Sequence, residues 1–120
     1  MAAKDDLGRD GENRAASFLI ERGYRILDRN WRCPLGEIDI VAREAGEIVV
    51  VEVKTRTSER FGHPFEAIDA RKRARLWRLA VAWCIAHPDE ARGRAVRIDA
   101  VSVLGMDAGT GDVEHLRDVR

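Results

Sequence analysis

Residues 37–54 constrain the fold more than any other stretch of the chain. In 37–43, Ile38, Ile40 and Ala42 alternate with Glu37, Asp39 and Val41, the period-two pattern of a strand. Residues 44–47 (Glu-Ala-Gly-Glu) read as a turn. After it come Ile48, Val49, Val50 and Val51, β-branched residues in unbroken succession. Two strands joined this closely pair as an antiparallel hairpin. With the tip at Ala45-Gly46, Ile40 faces Val51, Val41 faces Val50 and Ile38 faces Val53, all apolar matches. The same register sets Asp39 opposite Glu52 and Glu37 opposite Lys54.

That register creates an electrostatic conflict. Directly opposed side chains have β-carbons about 4.5–5.5 Å apart, and like charges at that spacing destabilise a sheet. Two carboxylates among valines and isoleucines must raise a pKa or recruit a cation. Carboxylates completed by water and phosphate oxygens are the ligands magnesium prefers. Lys54 lies two residues beyond Glu52, so it projects from the same face. There it can contact a scissile phosphate or stabilise a developing hydroxide. The plain alternative is a solvated sheet face carrying a Glu37–Lys54 ion pair.

The rest of the chain supplies a scaffold for this hairpin. Apolar residues from Leu7 to Leu19 follow helical spacing over 7–22, and Gly23 ends the helix. Residues 24–31 read as a first strand, 66–86 as a long helix stopped at His87-Pro88, 95–104 as a strand and 112–116 as a short edge strand. Residues 55–65 read as a loop. The order αβββαβ, with an added edge strand, predicts an α/β core with a mixed sheet flanked by helices. A length of 120 residues fits one domain, with its core at about 8–104 and with 1–6 and 105–120 peripheral. No run is apolar enough to span a bilayer, and the first residues lack a secretory signal's apolar stretch, so the expected location is the cytoplasm. Cys33 and Cys84 share no metal-ligand spacing with histidines and are expected to be free thiols.

Net charge is zero but unevenly spread. Residues 1–53 sum to −3, 54–78 to +5 and 79–120 to −2. An acidic zone beside a basic one suits a surface that holds a metal and binds phosphates. In the basic zone, Arg71, Arg75 and Arg78 form a stripe along the long helix, read either as a phosphate track or as a solvated face. Lys72 falls between Ile68 and Leu76 on the apolar side, so it either snorkels outward or reaches the acid pair. The loop after Lys54 adds Thr55, Arg56, Arg60, Phe61, Gly62 and His63. In the first helix, Glu12 shares a side with Ala15, Ala16 and Leu19. It reads as a third metal-site acid, a bridge to Lys54, or a first-turn acid favoured by the helix dipole. Trp77 is expected to be partly buried, and Asp99 is expected to be structural.

Gly11-Glu12, the run from Gly36 to Val41, the run from Val51 to Arg56, and Phe61-Gly62 together resemble the YraN-like family of bacterial proteins. The likeness spans about Gly8 to Leu104. That family in turn resembles the PD-(D/E)xK nucleases, and Holliday-junction resolvases in organisation. The resemblance implies a restriction-endonuclease-like core and a Mg2+- or Mn2+-dependent endonuclease for DNA, branched or otherwise structured. In it Asp39, Glu52 and Glu12 would hold the metal and Lys54 would act in catalysis. Arg56, Arg60, Arg71, Lys72, Arg75 and Arg78 would bind nucleic acid, and analogy with junction-cleaving enzymes implies a homodimer. Ile38 departs from the motif, which has proline before its first acid. A non-catalytic nucleic-acid-binding module and a protein-interaction adaptor are the rival readings of the same fold.

Overall fold

The computed structural model describes residues 2–56, 69–105 and 111–119. In chain order the elements are α1 (Ala2–Glu21), β1 (Arg25–Cys33), β2 (Gly36–Glu44), β3 (Glu47–Arg56), α2 (Ala70–Ala86), α3 (Pro88–Ala91), β4 (Val96–Leu104) and β5 (Asp112–Leu116). One mixed sheet of five strands runs β1-β2-β3-β4-β5, antiparallel except where β3 and β4 lie parallel. A parallel neighbour requires a crossover, and α2 lies on that path. This is the α/β architecture expected from the element order. α3 had no separate signal, and α1 begins five residues earlier than the spacing suggested. The segment after residue 104, read as peripheral, contributes β5.

Alternation along β3 divides the core into two layers. Val49, Val51 and Val53 pack with Ala15, Ala16 and Leu19 of α1. Ile48 and Val50 pack with Leu76, Leu79, Ala80 and Trp83 of α2. Full burial of a side chain such as Leu76 or Leu79 contributes about 1.5–3 kcal/mol. The helices therefore cover opposite faces and leave the sheet little wet surface.

Two local devices fix the elements that carry the acids. Ala45 and Gly46 both have positive φ, at 54° and 78°, the backbone of a two-residue hairpin turn matched to strand twist. Gly11 faces Thr55 so closely that an added Cβ would collide with the threonine hydroxyl. The missing side chain lets α1 settle onto the end of β3, one residue from Glu12. At the start of α2, Asp69 caps the helix by accepting the Lys72 backbone N–H at 2.9 Å.

Candidate active site

The β2–β3 ladder has the expected register from Glu44–Glu47 to Ile40–Val51 and ends there, one pair before Asp39 and Glu52. Beyond that point the strands depart from regular pairing. The Asp39 carboxylate accepts the Val53 backbone N–H at 2.8 Å through Oδ2, so a side chain occupies a place a ladder carbonyl would fill. The faces change as well. Ile40 packs on the α1 side, whereas Ile38, two residues earlier, packs on the α2 side. The paired strand turns in the same way: Arg29 reaches Asn13 of α1, Asn30 has φ 53°, and Trp31 packs on the α2 side. Strong coiling at this corner overturns two expectations. Ile38, Ile40 and Ala42 do not share one face, and the facing pairs Ile38–Val53, Asp39–Glu52 and Glu37–Lys54 are not ladder partners. Glu37 bonds Arg32 instead, at 2.7 Å on the surface.

The coiling still leaves Asp39 and Glu52 together. Burial pushes the Asp39 carboxyl up to about 7; the Val53 N–H opposes that, and the charges of Glu52 and Glu12 add to it. A side-chain hydrogen bond to Glu52 favours the protonated acid further. One ordered N–H is the only group acting to keep Asp39 ionised among the principal influences on it. On the far side of Glu52, the Lys72 ammonium stands 3.6 Å from Oε2. Of the two readings of Lys72, reaching the acids is therefore the one seen. Lys54 is half-buried within hydrogen-bonding reach of Lys72. Burial, then that neighbouring ammonium, lowers its pKa, while Glu52 opposes the shift.

Glu12 approaches from the α1 side. It lies well inside the helix, so the first-turn reading fails, and its cation is Arg29 at 3.6 Å rather than Lys54. Burial raises its pKa although Arg29 and Asn30 act against the rise. Its Oε1 is buried and accepts no hydrogen bond among the described residues. Glu12 Oε1, without a hydrogen bond but facing Arg29 at 3.6 Å, stands where it would support a divalent ion on the acid pair. Among the described residues, no three His, Cys, Asp or Glu side chains form a ready-made cage. Magnesium is held by one or two carboxylates and keeps water or phosphate for the remainder. Asp39 and Glu52 would hold such an ion, with Glu12 supporting it.

Arg56 ends β3 and contributes to the field at Lys54. Arg71, Arg75 and Arg78 are exposed and, with Lys72 and Asp69, line a concavity of about 390 Å³. Arg60, Phe61, Gly62 and His63 lie outside the described residues. Trp77 is partly buried, and both cysteines are free. Arg29 and the Val53 N–H were missed. Nothing in the sequence ties Arg29 to Glu12, and a backbone donor is visible only once the ladder is known to break.

A second polar centre lies on the α1 side of β4. Asp99 is fully buried and accepts hydrogen bonds from Tyr24 Oη (3.0 Å), Arg97 Nε (2.9 Å), His115 Nε2 (2.8 Å) and the Asp118 backbone N–H (2.9 Å). Burial alone would raise its pKa, but His115, Arg97 and the Asp118 N–H together hold it well below the usual carboxylate range. Asp99 thereby ties β4 to Tyr24 after α1, to His115 of β5 and to the segment that follows β5.

No helix among the described residues is long and apolar enough to cross a membrane. The model of an uncharacterised protein family, UPF0102, matches residues 11–103, and this is the YraN family the strand motifs resemble. Among curated relatives, a UPF0102 protein of Paenarthrobacter aurescens (strain TC1) is 57% identical over 99% of this chain and 97% of its own length. One from Arthrobacter sp. (strain FB24) is 56% identical over 99% of both chains. A third, from Beutenbergia cavernae, is 52% identical with the same coverage.

Proposed function

This chain is a member of the uncharacterised protein family UPF0102, and from its acid pair we propose that it is a Mg2+- or Mn2+-dependent endonuclease hydrolysing phosphodiester bonds of DNA, branched or otherwise structured DNA included. The observation that carries this reading is the placement of Asp39 beside Glu52 with Asp39 raised to about 7 and the Lys54 ammonium next to them. A protein gains nothing in stability from two partly buried acids set together. The arrangement becomes favourable when a divalent ion joins them.

When bound, that ion would supply Lewis acidity to the scissile phosphate and lower the pKa of an adjacent water. Asp39 and Glu52 would hold the ion, and the Val53 N–H fixes the Asp39 carboxylate in place. Lys54 orients the attacking water or stabilises the charge growing on the phosphate oxygens. Water attacks phosphorus and gives up a proton to solvent, one ester oxygen leaves with the electron pair of its bond to phosphorus, and a proton taken from solvent completes the alcohol. Arg56, Lys72, Arg71, Arg75 and Arg78 contact phosphates along the strand, and Arg60 belongs with them by charge. A cytoplasmic location and a homodimer, which would pair two cutting sites, accompany this reading.

The test is cleavage of a four-way DNA junction by the metal-replete protein. Loss of cutting in Asp39→Asn and Lys54→Ala supports the proposal. A protein that binds DNA in a salt-dependent way, equally well as Asp39→Asn, and cuts none of a broad panel of DNA and RNA is a binding module instead. One observation favours a protein-interaction adaptor: Leu35 of the β1–β2 turn and Val81 and Ile85 of α2 are exposed beside Trp77 and form a largely apolar surface. That reading predicts a specific protein partner and no affinity for nucleic acid.

A further inference from the structure

Lys72 stands between the two halves of the site. Its backbone is pinned by the Asp69 cap, so only the flexible four-carbon side chain is free to swing. At one end of that swing is Glu52, 3.6 Å from the ammonium, with both side chains mostly buried. At the other end is the concavity that Lys72 lines with Arg71, Arg75 and Arg78.

The pair with Glu52 is loose. At 3.6 Å it exceeds the 2.7–3.2 Å span of a formed N–H···O bond, whereas Arg97 holds Asp99, Glu44 and Glu47 at 2.9 Å each. Lys54 stands beside Lys72, and its ammonium opposes a second positive charge there. A divalent ion on the acid pair would add further repulsion, about twice that of one ammonium at similar range. The side chain has an anion-seeking alternative within reach, on the arginine face.

We propose that Lys72 is a displaceable counter-ion: it neutralises Glu52 until a divalent ion takes that carboxylate, then turns along α2 to contact a phosphate of the bound DNA. This rests on the endonuclease reading of the acid pair. It makes metal binding and phosphate binding cooperative through one side chain, because the group that the ion expels is the group the phosphate needs. Lys72 thereby acts as a positioning residue before metal binding and as a substrate contact after it.

Manganese alone, titrated calorimetrically into the full chain, tests the first half. Lys72→Gln should bind the ion about three- to tenfold tighter than the parent, the scale of a partly exposed ion pair, while Lys72→Arg should stay within about twofold. Fluorescence anisotropy with a short labelled DNA duplex tests the second half. Lys72→Gln should bind DNA several-fold more weakly than the parent in calcium, and the two should bind alike in a chelator. Melting curves establish that both variants fold. Manganese binding by the parent with unchanged or weaker affinity in Lys72→Gln would overturn the counter-ion role and leave the endonuclease reading standing. An equal loss of DNA affinity with and without calcium would do the same. If neither parent nor variant takes up manganese, the endonuclease reading itself fails.

Discussion

Asp39 and Asp99 are carboxylates on one sheet, two strands apart, and they have opposite electrostatics. Asp99 lies among donors: Arg97, Tyr24, His115 and the Asp118 N–H all point at it, and it stays ionised although fully buried. Asp39 has one backbone donor and two acidic neighbours, and its pKa climbs to about 7. Burial pushes both upward, so burial does not separate them; the supply of donors does. A satisfied buried acid fixes the position of strands. An unsatisfied one keeps binding capacity in reserve for a ligand. The contrast extends to their cations, since Arg97 braces Asp99, Glu44 and Glu47 at 2.9 Å while Lys72 stands off Glu52 at 3.6 Å.

The largest expected effect breaks the comparison by catalysis. Asp39→Asn and Lys54→Ala should each lower junction cleavage by about 10²–10³-fold or more, measured in single-turnover assays with manganese. Stability should show the reverse order. Asp99→Ala removes the buried acceptor shared by Arg97, Tyr24, His115 and the Asp118 N–H and should cost about 3–5 kcal/mol in urea unfolding. Asp39→Asn should be neutral or stabilising at pH 8, because it removes a buried charge with no cation of its own. Equal destabilisation by the two substitutions would erase the distinction between them.

The pH dependence sharpens the same point. Asp39 rises from 3.8 to about 7 on folding, so the folded state binds the extra proton between those values. Its contribution to stability is full below 3.8 and is lost as pH rises through about 7. Asp99 is shifted the other way: its contribution is full above 3.8 and is lost only as pH falls through its lower folded value. Urea unfolding from pH 4 to 9 should therefore show a decline in the parent that Asp39→Asn flattens and that manganese reverses. A decline unchanged by Asp39→Asn would assign it to another group.

Much of this contrast was legible in the residues, and the illegible part has a physical reason. The hairpin register follows from turn position and apolar matching, both local, and it holds as far as Ile40–Val51. Asp39 and Glu52 were recognisable as neighbours because the register carries them to the same end of the hairpin. The break beyond that pair was not legible. It depends on coiling of the sheet corner, with Asn30 at φ 53°, and on a backbone N–H captured by a side chain. The partners of Glu12 and Glu37 were hidden for the same reason, since Arg29 and Arg32 come from a third strand whose register depends on a bulge between Ile26 and Asp28. Of the donors around Asp99, Arg97 lies two residues away on β4, whereas Tyr24, His115 and the Asp118 N–H come from other segments, and nothing local to β4 announces those three.

Smaller effects refine the boundary of the site. Gly11→Ala pushes a methyl into Thr55 and should cost about 1–3 kcal/mol, together with weaker manganese binding as α1 and Glu12 back away. Glu37→Ala removes only a surface pair with Arg32 and should change stability by less than about 1 kcal/mol, with manganese affinity unaltered. A large loss of metal binding in Glu37→Ala would move the site toward β1 and away from β3.

The most direct measurement is anomalous scattering from crystals soaked in manganese. A single peak bridging the carboxylates of Asp39 and Glu52, absent from Asp39→Asn crystals, is the expected result. Saturating manganese that leaves this position without a peak, or that appears elsewhere on the surface only, would contradict the assignment of these two acids to a metal.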